Sequence, residues 1–172
     1  MIIAFDTYYH AEQAHTVCIS FENWENETIK NIFKEITLQP EAYHSGAFYK
    51  RELPCILSLL QQVNLSEIDT ILVDGFVFLD DQYRPGLGAR LYQSLQSKIP
   101  VIGVAKSNFT TVHRNKMELL RGKSRNPLYV SAIGMDLTLA TLRIKNMNGP
   151  FRIPNLLKKL DSLTRLPFQS IN

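Results

Sequence analysis

The sequence predicts an α/β fold, a mixed β-sheet flanked by helices. Strand-like apolar runs open the chain, stretches with helical spacing alternate with further apolar runs after residue 47, and two of the strands deliver an acid at their ends. Residues 2–8 read as a buried strand, followed by a polar turn over 9–13. Residues 14–21 form a second, β-branched run, and residues 29–36 predict a third strand that completes a meander. Over 47–63, Phe48, Leu53, Ile56, Leu57, Leu59 and Leu60 recur at helical spacing, with Pro54 expected in the first turn, where proline is tolerated. Residues 68–74 are the most apolar run, as in a central strand buried on both faces. Residues 87–95 then read as a helix and 101–104 as a short strand. The segment 107–126 is basic and without periodicity, and 128–130 gives a further strand. Asp136 and Thr138 are candidate caps for a helix reaching about Asn146. Pro154 opens a last helix, in the favoured first position, and Leu156, Leu157, Leu160 and Leu163 form its buried stripe.

A length of 172 residues, without repeats, low-complexity tracts or a Pro/Gly-rich linker, predicts one domain over residues 1–172. No apolar run approaches the roughly 20 residues needed to span a bilayer, and the chain opens on a strand with no basic leader, so a cytoplasmic protein without a membrane partner is expected. Cys18 and Cys55 lie in apolar stretches and read as buried free thiols. His10, His15, His44 and His113 show no zinc-ligand spacing with them. Gly86-Leu87-Gly88 is not a phosphate-binding loop, and Ser131 lacks the surroundings of a nucleophile elbow.

The net charge of +3 conceals a division. Residues 1–83 hold 4 Lys and Arg against 13 Asp and Glu, a net of −9, while residues 84–172 hold 15 against 3, a net of +12. Lys106, Arg114, Lys116, Arg121, Lys123 and Arg125 crowd into one basic stretch. A positive half of this kind is the electrostatic footprint of a polyanion binder. Asp6 and Asp74 end apolar strands, and Glu52 and Asp161 fall within leucine-rich helical stretches, where carboxylates are normally avoided. Strands that deliver acids at their ends are how a small domain gathers carboxylates around a divalent metal. The element order also suits a ribonuclease H-like arrangement, with acids from central strands and a late helix meeting at one site.

Several segments, taken in order, resemble the endonuclease V family. Ile71-Leu72-Val73-Asp74-Gly75, Arg84-Pro85-Gly86-Leu87-Gly88-Ala89 and Ile99-Pro100-Val101-Ile102-Gly103-Val104-Ala105-Lys106 are similar to its central block. Phe5-Asp6 resembles its first metal aspartate. Tyr43-His44-Ser45-Gly46 with Arg51-Glu52 resembles its wedge motif and the following glutamate, Asn126-Pro127-Leu128-Tyr129-Val130-Ser131 its proline-led strand, and Arg152-Ile153-Pro154 with Asp161 its closing motif. The resemblance implies that Asp6, Glu52, Asp74 and Asp161 hold Mg²⁺, with Mn²⁺ able to substitute, and that Lys106 adds positive charge beside the scissile phosphate. It implies an endodeoxyribonuclease for DNA repair that nicks DNA on the 3′ side of deaminated bases such as deoxyinosine, one nucleotide beyond the lesion; some members act on RNA. No obligate protein partner is implied. Tyr43 and Gly46 would form a wedge between bases, and the displaced base would enter a pocket near Gly75 and a turn from Ser131 to Gly134.

The chain departs from the family pattern in the elements that read the base. Ser45 replaces a proline of the wedge, Phe76 to Gln82 replace a segment with a histidine, and Gly134-Met135 replaces a Gly-His pair. Two other readings therefore stand beside the repair enzyme: a nucleic-acid-binding module whose catalysis has decayed, and a related nuclease acting on RNA or branched DNA.

Overall fold

A computed structural model describes residues 1–38, 40 and 48–166. Nine-residue strands β1 (Ile2–His10) and β2 (Gln13–Phe21) and β3 (Asn31–Leu38) form the expected meander. Helix α1 (Phe48–Leu60) leads through a short 3₁₀ turn to β4 (Thr70–Asp74), α2 (Leu87–Ser94) and β5 (Val101–Ala105). Strands β6 (Met117–Leu119) and β7 (Leu128–Ile133) and helices α3 (Leu137–Asn146) and α4 (Asn155–Thr164) complete the described chain. The seven strands form one mixed sheet in the order β3-β2-β1-β4-β5-β7-β6. β1, β4 and β5 are parallel and adjacent, and the pairs to either side are antiparallel. No described helix is long and apolar enough to cross a membrane.

Side-chain alternation divides the core into two layers. Ile3, Phe5, Ile71, Val73 and Val101 pack against α1 and α2 on one face, while Ile2, Ala4, Leu72, Ile102 and Val104 meet α3 and α4 on the other. β4 is buried on both faces, as its unbroken apolar run predicts. Cys18 and Cys55 are free and buried.

Three expectations need correction. Pro54 lies well inside α1, not in its first turn. It is exposed, so the hydrogen bond it cannot donate is lost on the solvent side, where water replaces it. Pro154 is the N-cap of α4 and not its first residue, since Lys158 N–H donates to its carbonyl at 2.9 Å. The basic segment 107–126 contains β6, a three-residue edge strand too short to impose a period on the sequence. Asp136 caps α3 as expected, its side chain accepting from Leu139 N–H at 2.8 Å.

Candidate active site

The strand alternation that builds the core also builds the site. Asp6 follows Ala4 by two residues, Asp74 follows Leu72, and Lys106 follows Val104, so each polar group emerges on the α4 face one step past the core. The parallel register aligns these ends: Phe5 pairs with Val73 and Asp74 with Val104. Asp161 arrives from α4, one residue after the buried Leu160. The four side chains line a single cleft together with Val104, Leu128, Ile153 and Leu157. It holds about 40 Å³ of water-sized space, room for an ion or a few waters.

Lys106 ties the acids together. Its ammonium lies 3.2 Å from Asp74 Oδ2 and 3.5 Å from Asp161 Oδ1. Burial works against its charge, but the Asp74 and Asp161 carboxylates outweigh burial and hold its pKa above the usual lysine value. Arg165, one helical turn beyond Asp161, donates to both carboxylate oxygens at 3.2 and 3.3 Å and is the main cause of that acid's lowered pKa. The Thr164 hydroxyl, fully buried, lies 2.8 Å from the Asp161 carbonyl and 3.3 Å from Asp6 Oδ2, and donates to one of them at a time. Asp6 is pushed up to about 6, first by burial and then by the Asp74 carboxylate, with Lys106 acting against them.

Glu52 enters from the other side of the sheet, on α1. It is 2% exposed, and among the described residues its Oε2 has no hydrogen-bond partner. Burial, then repulsion from Asp74 and Asp6, holds its pKa well above the ordinary carboxylate range. Four of the five residues expected to carry chemistry thus share one cleft, with the fifth buried behind them. Among the described residues, no three His, Cys, Asp or Glu side chains are set to hold a metal ion as they stand, and the Lys106 ammonium occupies the space between two of the acids.

The residues expected to read the base fare differently. Tyr43 and Gly46 lie outside the described residues. Gly75 follows Asp74 directly, with φ at +129°, a conformation that side chains rarely adopt, and its N–H donates to the Val104 carbonyl at 3.3 Å. Ser131 is not in a turn: it lies inside β7, fully buried, and its hydroxyl accepts from Val77 N–H at 3.0 Å. That hydroxyl braces the loop after Gly75 from behind. Gly134 sits past the other end of β7, packed by Tyr92 and Pro100, because β7 runs antiparallel to β5 and carries its later residues away from Lys106. The structure therefore does not bring Gly134 to Gly75.

The basic stretch is corrected in part as well. Arg121 is 6% exposed and donates to the carbonyls of Lys145, Met147, Gly149, Phe151 and Arg152. It staples the loop between α3 and α4 and is not available to a polyanion. Arg152 likewise donates to the carbonyls of Lys106 and Pro127, tying the end of β5 to the start of β7. Thr164 and Arg165 were not singled out from sequence, although the four-residue spacing from Asp161 to Arg165 on one helix is a legible ion-pair signal.

A seven-stranded mixed sheet with flanking helices, and acids converging from its central strands and a late helix, defines a ribonuclease H-like α/β protein. The sequence model of endonuclease V matches residues 1–136, and the chain belongs to the endonuclease V family, a family of nucleases. Solved structures agree in fold. A Ciona intestinalis endonuclease V, in complex with a 24mer DNA containing an inosine followed by a ribo-adenosine, superposes with TM-score 0.76 at 22% identity, covering 95% of this chain and 84% of that one. Human ENDOV gives 0.73 at 21%, covering 95% and 82%, and the Bacillus subtilis endonuclease V 0.73 at 18%, covering 95% and 77%. No curated protein sequence gives a match. The family match ends before α4, so Asp161 reaches the cleft from beyond it.

Proposed function

We propose that residues 1–172 form a single nuclease domain that cuts DNA on the 3′ side of deaminated bases such as deoxyinosine, one nucleotide beyond the lesion, with Mg²⁺ as its metal, in the cytoplasm. The observation that carries this reading is the convergence of Asp6, Asp74 and Asp161 with Lys106 in one cleft at the ends of parallel strands. The donor set fits a hard divalent cation. It consists of carboxylate oxygens, it includes a buried Glu52 oxygen without a partner among the described residues, and Asp6 is raised by burial and then by the neighbouring Asp74 charge, which a cation would relieve. Asp6, Glu52, Asp74 and Asp161 would hold the ion. When bound, it supplies a nucleophile from water at neutral pH and charge compensation at the phosphate.

The chain's own groups do the rest. The Lys106 ammonium, held at the cleft beside Asp74 and with its carbonyl fixed by Arg152, would place a positive charge beside the phosphate. The buried wall of Leu128, Val104 and Leu160 excludes bulk water on one side. The lesion would be read beside the cleft, in the segment around Gly75 that follows Asp74 directly. The Ciona complex makes a strand with a ribonucleotide after the inosine the second substrate to try, because Phe76 to Gln82 depart from the family's base-reading segment. The test is cleavage of labelled duplexes carrying one deoxyinosine, alone or followed by a ribonucleotide, with Mg²⁺, Mn²⁺ or EDTA. A metal-dependent nick one nucleotide 3′ of inosine supports the proposal. Equal cutting of undamaged strands would remove the repair assignment, and binding without cutting would point to a decayed module.

A further inference from the structure

β1 runs past its neighbour. It pairs with β4 only from Ile2 to Phe5, yet continues to His10, so from Asp6 onward it pairs with β2 alone on its one side. The five residues beyond Phe5 form a shelf that begins at the carboxylate cleft. Alternation places Tyr8 and His10 on the same face as Asp6. Their rings lie nearly parallel, at 9° with centroids 6.4 Å apart, and the Arg165 guanidinium lies 4.7 Å from the Tyr8 centroid while holding Asp161. Tyr8 is partly exposed, and His10 and Arg165 are open to solvent. Two flat rings and a guanidinium in a row, adjoining a phosphate-cutting cleft, are what a channel for an unpaired strand uses: bases stack on rings, and arginine meets the backbone.

We infer that the outer end of β1 is a stacking shelf for single-stranded nucleic acid, in which Tyr8 and His10 hold the bases flanking the cut and Arg165 faces their phosphate. The inference rests on the nuclease reading above and extends it to which strand form is gripped. The occupant is a nucleic-acid strand because the shelf is continuous with the carboxylate site and carries a cation from the basic half of the chain.

The experiment measures kcat/KM on inosine-containing strands trimmed stepwise on each side of the cut, for wild type, the double variant Y8L/H10L and the ring-preserving Y8F/H10F. Wild type is expected to lose about tenfold or more, chiefly in KM, when trimming removes the bases on the shelf. Y8L/H10L should start about tenfold lower on the long strand and be indifferent to that trim, and Y8F/H10F should keep the wild-type dependence on strand length. Arg165→Ala should flatten the salt dependence of strand binding by about one phosphate contact, roughly 0.7 in the logarithmic slope. A leucine pair that keeps the full length dependence, or a phenylalanine pair that fails as badly as the leucine pair, overturns the shelf while leaving the nuclease reading intact. A wild-type chain that neither binds nor cuts any strand overturns both.

Discussion

The carboxylate cleft and the flank meant to read the base were inferred from the same resemblance, and the structure treats them differently. In the cleft, Asp6, Asp74, Lys106 and Asp161 all arrive together. On the flank, Ser131 is a buried brace and Gly134 packs at the far end of its strand. A residue whose place is dictated by strand alternation and parallel register can be located from the sequence alone. A residue whose role depends on how a loop turns back cannot, because nothing local fixes where that loop goes.

The largest effect should come from breaking the cleft. Asp74→Asn keeps the shape but removes a charge from the centre, and cleavage should fall about a thousandfold, roughly 4 kcal/mol of transition-state stabilisation, while strand binding persists. Single-turnover rates and filter binding check both halves; a rate within tenfold of wild type would mean the cleft is not where cutting occurs. Next comes the frame that positions it. Arg121→Met leaves five carbonyls short of a donor and should cost about 3 kcal/mol by chemical denaturation, with no specific loss of affinity for DNA at low temperature. Were Arg121 a phosphate contact instead, binding and its salt slope would drop and stability would hardly change.

The third prediction concerns pH. Asp6 titrates near 6 in the folded chain against 3.8 unfolded, so between these values the native state binds more protons. In EDTA, stability should therefore fall as pH rises from about 4 through 6, by about 2 kcal/mol from Asp6 once the side chain's partial exposure is allowed for, with a further fall where the buried Glu52 ionises. Asp6→Asn should remove the part of that fall between about 4 and 6, and Mg²⁺ at neutral pH should raise the stability of wild type but not of the variant. A flat wild-type profile would mean that Asp6 is neither desolvated nor crowded by Asp74. The smallest effect separates the two regions most sharply. Ser131→Ala strands the buried Val77 N–H and should cost about 1–2 kcal/mol of stability, with the preference for inosine over undamaged DNA unchanged. A change in that preference at full stability would return Ser131 to the base.

Most of the fold was legible because the relevant signals are local. The meander, the doubly buried β4 and the capped α3 all announce themselves in hydrophobic period and cap chemistry. β6 was not legible, since three residues at a sheet edge carry no periodicity. Charge misled where arginines turned inward: Arg121 counts toward a basic stretch in sequence, yet satisfies backbone carbonyls that only the folded α3–α4 loop presents. Of the site, Asp6 and Asp74 stand out at strand ends and Glu52 and Asp161 as carboxylates in leucine-rich helical stretches, whereas Lys106 is implied only by the family resemblance. Thr164 escaped because a buried threonine on a helix looks like any core residue until its hydroxyl is found beside Asp6.

The bond between Thr164 and Asp6 joins residues 158 positions apart. One end belongs to the first strand of the sheet and the other to the last described helix, so the carboxylate cluster exists only when α4 is docked. A chain that has folded its sheet but not yet seated that helix lacks Asp161, and a variant that loosens the helix loses it again. Damage to the fold that unseats α4 therefore takes Asp161 out of the carboxylate cleft, a useful property in a nuclease.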